Sequence, residues 1–147
     1  MKDKIRKELI FISAVVAILV GSAILNAALI SDISSSVAQE NGSIPAGAYV
    51  IHVTGSQWVW TFTYPNGTVT HDFLSVPVNT TIALIVNSTD VIHDLYIPQM
   101  DIQAYAVPGN NNTVVFRPSG TGSYFFECVE YCGEYHYKMT GTLQVVA

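Results

Sequence analysis

Charged residues are scarce in this sequence, and basic residues are the scarcest of them. Only 12% of the 147 residues are charged, half are hydrophobic, and six Lys and Arg stand against eleven Asp and Glu, for a net charge of -5. A disordered chain needs low hydrophobicity and a high charge density, which this sequence lacks. A nucleic-acid-binding protein needs a basic surface, which is equally missing, so no nucleic-acid partner is expected. The length fits one domain with an appendage.

No charged residue interrupts residues 9–30, a long hydrophobic run. At 1.5 Å per residue these 22 residues form a helix of ~33 Å, enough to cross the hydrocarbon core of a bilayer. Four of the six basic residues precede the run and mark its cytoplasmic side: Lys2, Lys4, Arg6 and Lys7. We expect a single-pass protein of the plasma membrane, with a cytoplasmic N-terminus at residues 1–8, a transmembrane helix at residues 9–30 and an extracytoplasmic remainder.

A cleaved signal peptide is the alternative interpretation, since the small residues at 36–38 resemble a cleavage site. The hydrophobic part of a signal peptide is normally ~7 to 15 residues, which is shorter than this run. Both interpretations place the remainder of the chain outside the cytosol. That remainder is strongly acidic, because nine acidic residues follow residue 30 and only Arg117 and Lys138 oppose them.

Turn-forming residues divide the rest of the chain into short segments. Residues 31–46 are small and polar, contain Gly42 and Pro45, and follow neither hydrophobic period, which predicts a linker. From residue 47 onward, runs rich in Val, Ile, Thr, Tyr and Phe alternate with turn residues, as in an antiparallel β-sandwich. No helix is expected there. The predicted strands are residues 49–54, 57–64, 68–73, 81–86, 91–96, 113–117, 123–128 and 141–146.

This pattern predicts the fold class of residues 47–147. It indicates an all-β Greek-key sandwich or barrel, anchored by one N-terminal transmembrane helix. The strand at residues 57–64 carries Trp58, Trp60, Phe62 and Tyr64 on alternate positions, and alternate positions share one face of a sheet. Asn66-Gly67 suits the tight hairpin turn that follows.

Two thiols, an imidazole and a thioether lie within twelve residues near the C-terminus, at Cys128, Cys132, His136 and Met139. Soft sulfur ligands together with imidazole select copper, whereas carboxylate clusters select magnesium or calcium. A disulfide is the simplest alternative outside the cytosol, but it would close a short loop and leave His136 and Met139 unexplained. Structural zinc sites hardly use Met, and a blue copper site uses a single Cys.

Two cysteines four residues apart can each bridge a pair of metal ions, and each ion then needs an imidazole. The second histidine has three candidates, His52, His71 and His93. His52 lies within a predicted strand and His71 beside a turn, and a lone His is more often a surface or satisfied residue than a ligand. His93 follows a polar loop at the start of a strand.

Four segments together resemble subunit II of heme-copper cytochrome c oxidases. They are CVEYCGEYHYKM at residues 128–139, DVIH at residues 90–93, VPG at residues 107–109 and QWVWTFTY at residues 57–64. The resemblance spans the whole domain after the linker, and the Cys-x-Glu-x-Cys-Gly-x-x-His-x-x-Met pattern is highly specific. It implies a cupredoxin-like fold that carries a binuclear copper A centre in residues 47–147.

The resemblance also implies a role for each matching residue. Cys128 and Cys132 would bridge the two copper ions, and His93 and His136 would each bind one of them. Met139 would complete the coordination of one copper ion, and the backbone carbonyl of Glu130 would complete that of the other. The Glu130 side chain would reach a magnesium site at the boundary with subunit I, and Trp58 would be the point at which electrons enter.

The implied function is that of an electron-accepting subunit in a terminal oxidase, which is an oxidoreductase. The chain alone would only transfer electrons, from a cytochrome c or a small blue copper protein to the heme-copper subunit I that reduces dioxygen to water. The single span and the Gln103-Ala104-Tyr105 run are more similar to the B-type, single-span branch of the family. The alternatives are the copper A domain of a nitrous or nitric oxide reductase system and a membrane-anchored copper or thiol carrier.

Overall fold

The structure is a computed structural model that describes the backbone of residues 2–37 and 43–147 and the side chains of residues 3–29 and 43–147. The chain divides into two compact units, Met1–Gln39 and Glu40–Ala147. The first contains one helix and the second contains the β-strands.

The first unit is the helix α1, Lys2–Val37. Within it, the 27-residue segment Asp3–Leu29 contains an 18-residue window with a mean hydropathy of 2.5, and the segment is long and apolar enough to be a candidate membrane span. The hydroxyl groups of Ser13 and Ser22 donate hydrogen bonds to the backbone carbonyls of Leu9 and Leu19, at 2.8 and 2.9 Å. Both serine hydroxyl groups of the apolar stretch are therefore satisfied within the helix itself, as an apolar environment requires.

The helix extends beyond the predicted span at both ends. It includes the basic residues from Lys2, and it continues seven residues past Ile30 into the segment predicted as a linker. Residues 31–37 contain no Gly or Pro, and an established helix propagates easily through residues that do not break it. The next part of the predicted linker, residues 38–42, lies outside the described residues.

The second unit contains ten strands among the described residues 43–147. They are β1 (Tyr49–Ser56), β2 (Val59–Thr63), β3 (Val69–His71), β4 (Phe73–Pro77), β5 (Ile82–Ser88), β6 (His93–Ile97), β7 (Ile102–Ala106), β8 (Asn112–Phe116), β9 (Gly122–Cys128) and β10 (Thr140–Val146). Helical structure in this part of the chain is limited to two 3₁₀ turns, Pro98–Met100 and His136–Lys138. The predicted all-β class is thus confirmed. The sequence analysis did not predict β7, and of β4 it included only Phe73, as the end of the strand at residues 68–73.

The strands form two five-stranded sheets, in the orders β3-β2-β1-β5-β8 and β4-β10-β9-β6-β7. The expectation of a purely antiparallel sandwich is wrong, because β1 pairs with β5 and β4 pairs with β10 in parallel. Parallel pairing requires a long crossover connection. Between β1 and β5 the chain passes through β4 of the opposite sheet, and between β4 and β10 it passes through β5 and β8 of the opposite sheet.

The predicted return strand of residues 68–73 is interrupted at Asp72, where the chain changes sheet. Asp72 has a φ of 51°, its N–H donates to the carbonyl of Trp60 at 2.9 Å, and its Oδ1 accepts from the N–H of Trp60 at 2.8 Å. Its own carbonyl accepts from the N–H of Thr142 at 3.0 Å. Asp72 therefore joins the two sheets at the point where β3 ends and β4 begins.

The core between the sheets confirms most of the predicted aromatic face. Trp60, Phe62 and Tyr64 are buried, and the Phe62 ring packs edge-on against Phe126 of the other sheet, with 5.5 Å between ring centroids. Trp58 precedes β2 and is only half-buried. Burial of large apolar rings on both sheets fixes the sandwich, and with it the connections that leave the strands.

Candidate metal centre

Three connections meet at one end of the sandwich and build the site. They are the turn between β1 and β2 (residues 57–58), the loop between β5 and β6 (residues 89–92) and the loop between β9 and β10 (residues 129–139). The N–H of Thr89 donates to the carbonyl of Gly55 at 3.2 Å, which fixes the second connection against the first strand. The N–H of Val129 donates to the carbonyl of Asp94 at 2.9 Å, which fixes the third against β6.

The loop of residues 129–139 is closed by its own backbone. The N–H of Cys128 donates to the carbonyl of Met139 at 2.9 Å, so the two ends of the loop are held together. Further bonds link His136 to Gly133 at 3.1 Å and Met139 to His136 at 3.0 Å. The spacing of the sulfur and imidazole groups is therefore determined by a folded loop on a rigid sheet, which suits a preorganised metal site.

The sulfur atoms and the imidazole of this loop converge. Cys128 and Cys132 are free thiols with 3.8 Å between their Sγ atoms. The Sγ of Cys132 lies 3.4 Å from Nδ1 of His136 and 3.8 Å from Sδ of Met139. Both thiols and the Met139 side chain are buried. The loop thus brings together the four soft donors that the sequence predicted.

His93 completes the cluster. Its ligand atoms and the two Sγ atoms lie within 4.8 Å of one another, and the side chain is fully buried. The other two candidates do not join them: His52 and His71 are both exposed, and His71 contacts Thr61 instead, with 3.1 Å between Nδ1 and Oγ1. The structure therefore selects His93 among the three histidines.

The ring nitrogens of His93 have different surroundings. Nε2 lies 2.8 Å from Oδ1 of Asp90, whereas Nδ1 is buried and has no hydrogen-bond partner among the described residues. A carboxylate acceptor keeps the proton on Nε2, so Nδ1 carries the free lone pair. A buried imidazole nitrogen with a lone pair and no donor beside it fits a metal ligand, because burial without a partner is otherwise costly.

Asp90 is held as a carboxylate. Partial burial raises its pKa, but hydrogen bonds from His93 and from the backbone N–H groups of Gln57 and Val91 outweigh that effect and lower the pKa to about 2. The N–H donors lie 2.7 and 2.6 Å from the carboxylate oxygens. Asp90 therefore orients His93 at neutral pH.

Burial and the neighbouring Cys128 raise the pKa of the Cys132 thiol to about 12. A thiolate at this position needs a positive charge beside it, and a soft metal ion supplies one. The donor set of two thiols, two imidazoles and a thioether fits copper in chemistry and in proximity. The carbonyl oxygen of Glu130 also reaches the cluster, 3.3 Å from Sγ of Cys128.

Trp58 lies against the ligand loop. Its ring packs edge-on against Tyr135 with 4.8 Å between centroids, and a Cβ at Gly133 would lie 3.3 Å from the indole. Trp60, in contrast, is fully buried in the core, where its ring is 5.9 Å from that of His93. Of the two tryptophans, Trp58 is the one on the surface of the site.

The sequence analysis missed Asp90 and Gln57 as parts of the site. Asp90 lies three residues before His93, inside the DVIH stretch, and Gln57 lies inside the aromatic run. Both bind other residues of the cluster through hydrogen bonds that only the folded chain brings about.

A family comparison identifies the domain that carries this cluster. The model of the periplasmic domain of cytochrome c oxidase subunit II matches residues 68–146, more than half of the chain and every ligand predicted from the sequence. The chain belongs to the cytochrome c oxidase subunit II family. The subunit from Synechocystis sp. is 31% identical over 105 residues, which are 71% of this chain and 32% of that relative. The chain thus spans about a third of the length of this curated subunit II.

Solved subunit II structures share the fold. The periplasmic domain of subunit II from Bradyrhizobium japonicum matches with a TM-score of 0.66 at 29% identity, over 71% of this chain and 88% of that one. This similarity confirms the predicted cupredoxin-like sandwich. A further structure, at 30% identity and a TM-score of 0.62, covers 71% of this chain and 86% of that one; it is a mixed-disulfide intermediate between a thioredoxin-like protein and subunit II.

Proposed function

We propose that this subunit II is the electron-accepting subunit of a terminal oxidase and holds a binuclear copper A centre. The observation that carries the proposal is the convergence of two free, buried thiols, 3.8 Å apart, with imidazole and thioether donors. Cys128 and Cys132 would bridge the metal ions. The coordination of the ions would be completed by His93, His136, Met139 and the Glu130 carbonyl. Copper, when bound, supplies a one-electron redox couple.

The protein's own residues would support this redox couple by holding the ligand side chains in fixed positions. The loop of residues 129–139 is closed by backbone hydrogen bonds, and His93 is held by Asp90. Electron transfer is fastest when ligand geometry hardly changes between oxidation states, and a sandwich with a packed core resists such change. Burial of the sulfur atoms excludes water from the site and tunes its potential.

Trp58 is the proposed point at which electrons enter. It is half-buried beside the ligand loop, so a donor could contact one edge while the other faces Tyr135. The strongly acidic composition of the chain after residue 30 favours a basic donor, which long-range attraction would steer to the surface. A cytochrome c or a small blue copper protein fits this description.

Membership of the subunit II family also supports a proposal for the partner subunit and for the membrane topology of the chain. Electrons would pass to the heme-copper subunit I, which reduces dioxygen to water, and the Glu130 carboxylate would contact a magnesium ion at the boundary of the two subunits. The helix α1 would cross the plasma membrane once, with Lys2 and its basic neighbours in the cytoplasm. The copper domain would then be extracytoplasmic, as in the family of periplasmic domains that it matches.

A thioredoxin-like partner is a second proposal. It is favoured by the mixed-disulfide structure of a related subunit II, since Cys128 and Cys132 are close enough to be oxidised outside the cytosol. A thioredoxin-like reductant would return both to thiols before copper is bound. A nitrous or nitric oxide reductase domain and a copper or thiol carrier are less well supported, because the matching family is subunit II.

The oxidase assignment is tested on the tagged full chain, purified in detergent from the membranes of its own cells. Heme should co-purify, and oxygen consumption driven by reduced cytochrome c should be lost in the Cys128→Ser variant while heme stays bound. Copper without heme or oxygen consumption would contradict an oxidase subunit and favour a carrier.

A further inference from the structure

Gln57 is hydrogen-bonded to both of the other connections that build the site. Its backbone N–H donates to Oδ2 of Asp90 at 2.7 Å, on the loop of residues 89–92. Its side-chain Nε2 donates to the carbonyl of Cys132 at 2.8 Å, on the loop of residues 129–139. One residue of the β1–β2 turn therefore contacts both ligand loops, which are not connected to it in sequence.

Each of the two hydrogen bonds acts indirectly on a donor atom of the cluster. The bond to Asp90 holds the carboxylate that in turn contacts Nε2 of His93. The bond to Cys132 holds the backbone of the residue whose Sγ lies near both Cys128 and His136. Gln57 thus connects the imidazole of His93, on β6, to the thiol of Cys132, on the loop of residues 129–139.

The loop leaves room for this carboxamide. Gly133 has a φ of 121°, and a Cβ at that position would come within 2.8 Å of Nε2 of Gln57. Glycine therefore permits both the backbone conformation and the close approach of the amide. Gln57 is an exposed residue, and its carboxamide lies against the ligand loop at the position where Gly133 has no side chain.

We propose that the Gln57 carboxamide is a positioning group that holds Cys132 in place relative to His93 before any metal binds. It acts through the carbonyl of Cys132 and does not itself bind copper. The role deepens the proposed function, because a loop fixed in advance keeps the ligand geometry from changing when the metal is loaded or reduced. Gln57 would also keep the buried Cys132 thiol inaccessible in the metal-free chain.

The test measures how fast iodoacetamide alkylates Cys132 in the metal-free, reduced full chain in detergent, followed by peptide mass mapping at constant pH. Gln57→Met keeps the length of the side chain but removes the donor, while the backbone bond to Asp90 stays. Loss of one hydrogen bond should raise the population of the open loop, and with it the alkylation rate, about fivefold. Gln99→Met is the matched control, since Gln99 is exposed and lies in the 3₁₀ turn Pro98–Met100.

Two further variants separate the hydrogen bond from general packing. Gln57→Lys restores a donor and should return the rate toward that of the native chain, whereas Gln57→Glu has no donor at neutral pH and should not. Equal alkylation rates in the native chain, Gln57→Met and Gln99→Met would overturn the proposal. If Gln57→Met also lowers the melting temperature, the comparison of Gln57→Lys with Gln57→Glu decides. Slower alkylation in Gln57→Lys than in Gln57→Glu supports the role, and equal rates in these two variants overturn it.

A copper readout distinguishes this inference from the proposed function. In the loaded chain, Gln57→Met should speed the transfer of copper to a chelator, relative to Gln99→Met. If the chain binds no copper but the alkylation rates differ as expected, the oxidase assignment fails and the positioning role stands. If copper binds and the alkylation rates are equal, the positioning role fails alone.

Discussion

The carboxylate of Asp90 lies 2.8 Å from Nε2 of His93, and the other ring nitrogen of His93 is buried without a hydrogen-bond partner among the described residues. This pair explains how His93 on β6 would act as a metal ligand together with cysteines that follow it by more than thirty residues. The carboxylate favours the tautomer with the proton on Nε2, and the fold buries His93 next to the two thiols.

Removing the charge of Asp90 should weaken copper binding. Asn at this position can still accept from Nε2 of His93, but it is uncharged and makes His93 a poorer ligand. Loss of such an outer partner typically costs ten- to a hundred-fold in metal affinity. Competition with a copper chelator measures the change in Asp90→Asn. Asp101→Asn, at an exposed position after the Pro98–Met100 turn, should leave the affinity unchanged, and an equal loss in both variants would remove the specific role.

Copper loading should release protons. The pKa of the Cys132 thiol is raised to about 12, so at pH 7 this group is protonated in the metal-free chain. Metal binding requires the thiolate and therefore displaces the proton, and affinity should fall as pH falls, by about tenfold per unit for each proton displaced. Titration in weakly buffered solution counts the protons. Loading without proton release would mean that Cys132 is not a ligand.

Cys132→Ser should destroy the binuclear site while leaving the sandwich intact. Oxygen is a harder donor than sulfur and is a poor bridge for copper, so at most one ion should remain, with a localised spectrum. Copper analysis and optical spectra test this variant. A retained two-copper spectrum would reject the bridging role.

The two tryptophans should behave differently. Trp58→Phe should slow electron transfer from reduced cytochrome c with copper content unchanged, because the Trp58 ring packs against Tyr135, which is not a predicted ligand. Trp60→Phe should lower the free energy of unfolding by about 1–2 kcal/mol, since it leaves a cavity in the core. Stopped-flow reduction and denaturant unfolding make the comparison. Copper loss in Trp58→Phe would instead make Trp58 a packing residue.

Gly141 should be the glycine most sensitive to substitution by alanine. A Cβ there would overlap the carbonyl of Asp72 and the ring of Phe126, where β10 passes the sheet-changing corner. Relief of that overlap must move backbone, so Gly141→Ala should cost about 3 kcal/mol of unfolding free energy. Gly120→Ala is the control, because a Cβ at Gly120 has no neighbour within 4 Å. Equal stability of the two variants would contradict the packing described here.

Alternation of apolar residues predicted most of the strands, and two local features account for the rest. The predicted strand of residues 68–73 ran past the corner at Asp72 and missed most of β4. The corner contains neither Gly nor Pro, and its positive φ is stabilised by contacts with Trp60. Strand β7 alternates buried and exposed residues, but its inward side chains include the small Ala104 and Ala106, which give a weak hydrophobic signal. The formation of β4 and β7 depends on side-chain size and long-range contacts, which the periodicity of apolar residues does not report.

The ligand loop was predictable because its donors are close in sequence. Cys128, Cys132, His136 and Met139 are chemically distinctive and lie on one loop, so residue type and spacing were enough. The choice of His93 required the resemblance to a family, and the structure supports it by burying His93 while His52 is exposed. The hydrogen bonds of Gln57 span 33 and 75 residues, and no local pattern reports a contact at such separations.

The central claim is most directly tested by electron paramagnetic resonance of the copper-loaded chain, together with its metal stoichiometry. The account predicts two copper ions per chain that share one unpaired electron, because two thiols 3.8 Å apart and two imidazoles can serve both ions. One copper with a localised signal, or no copper with a disulfide between Cys128 and Cys132, would contradict it.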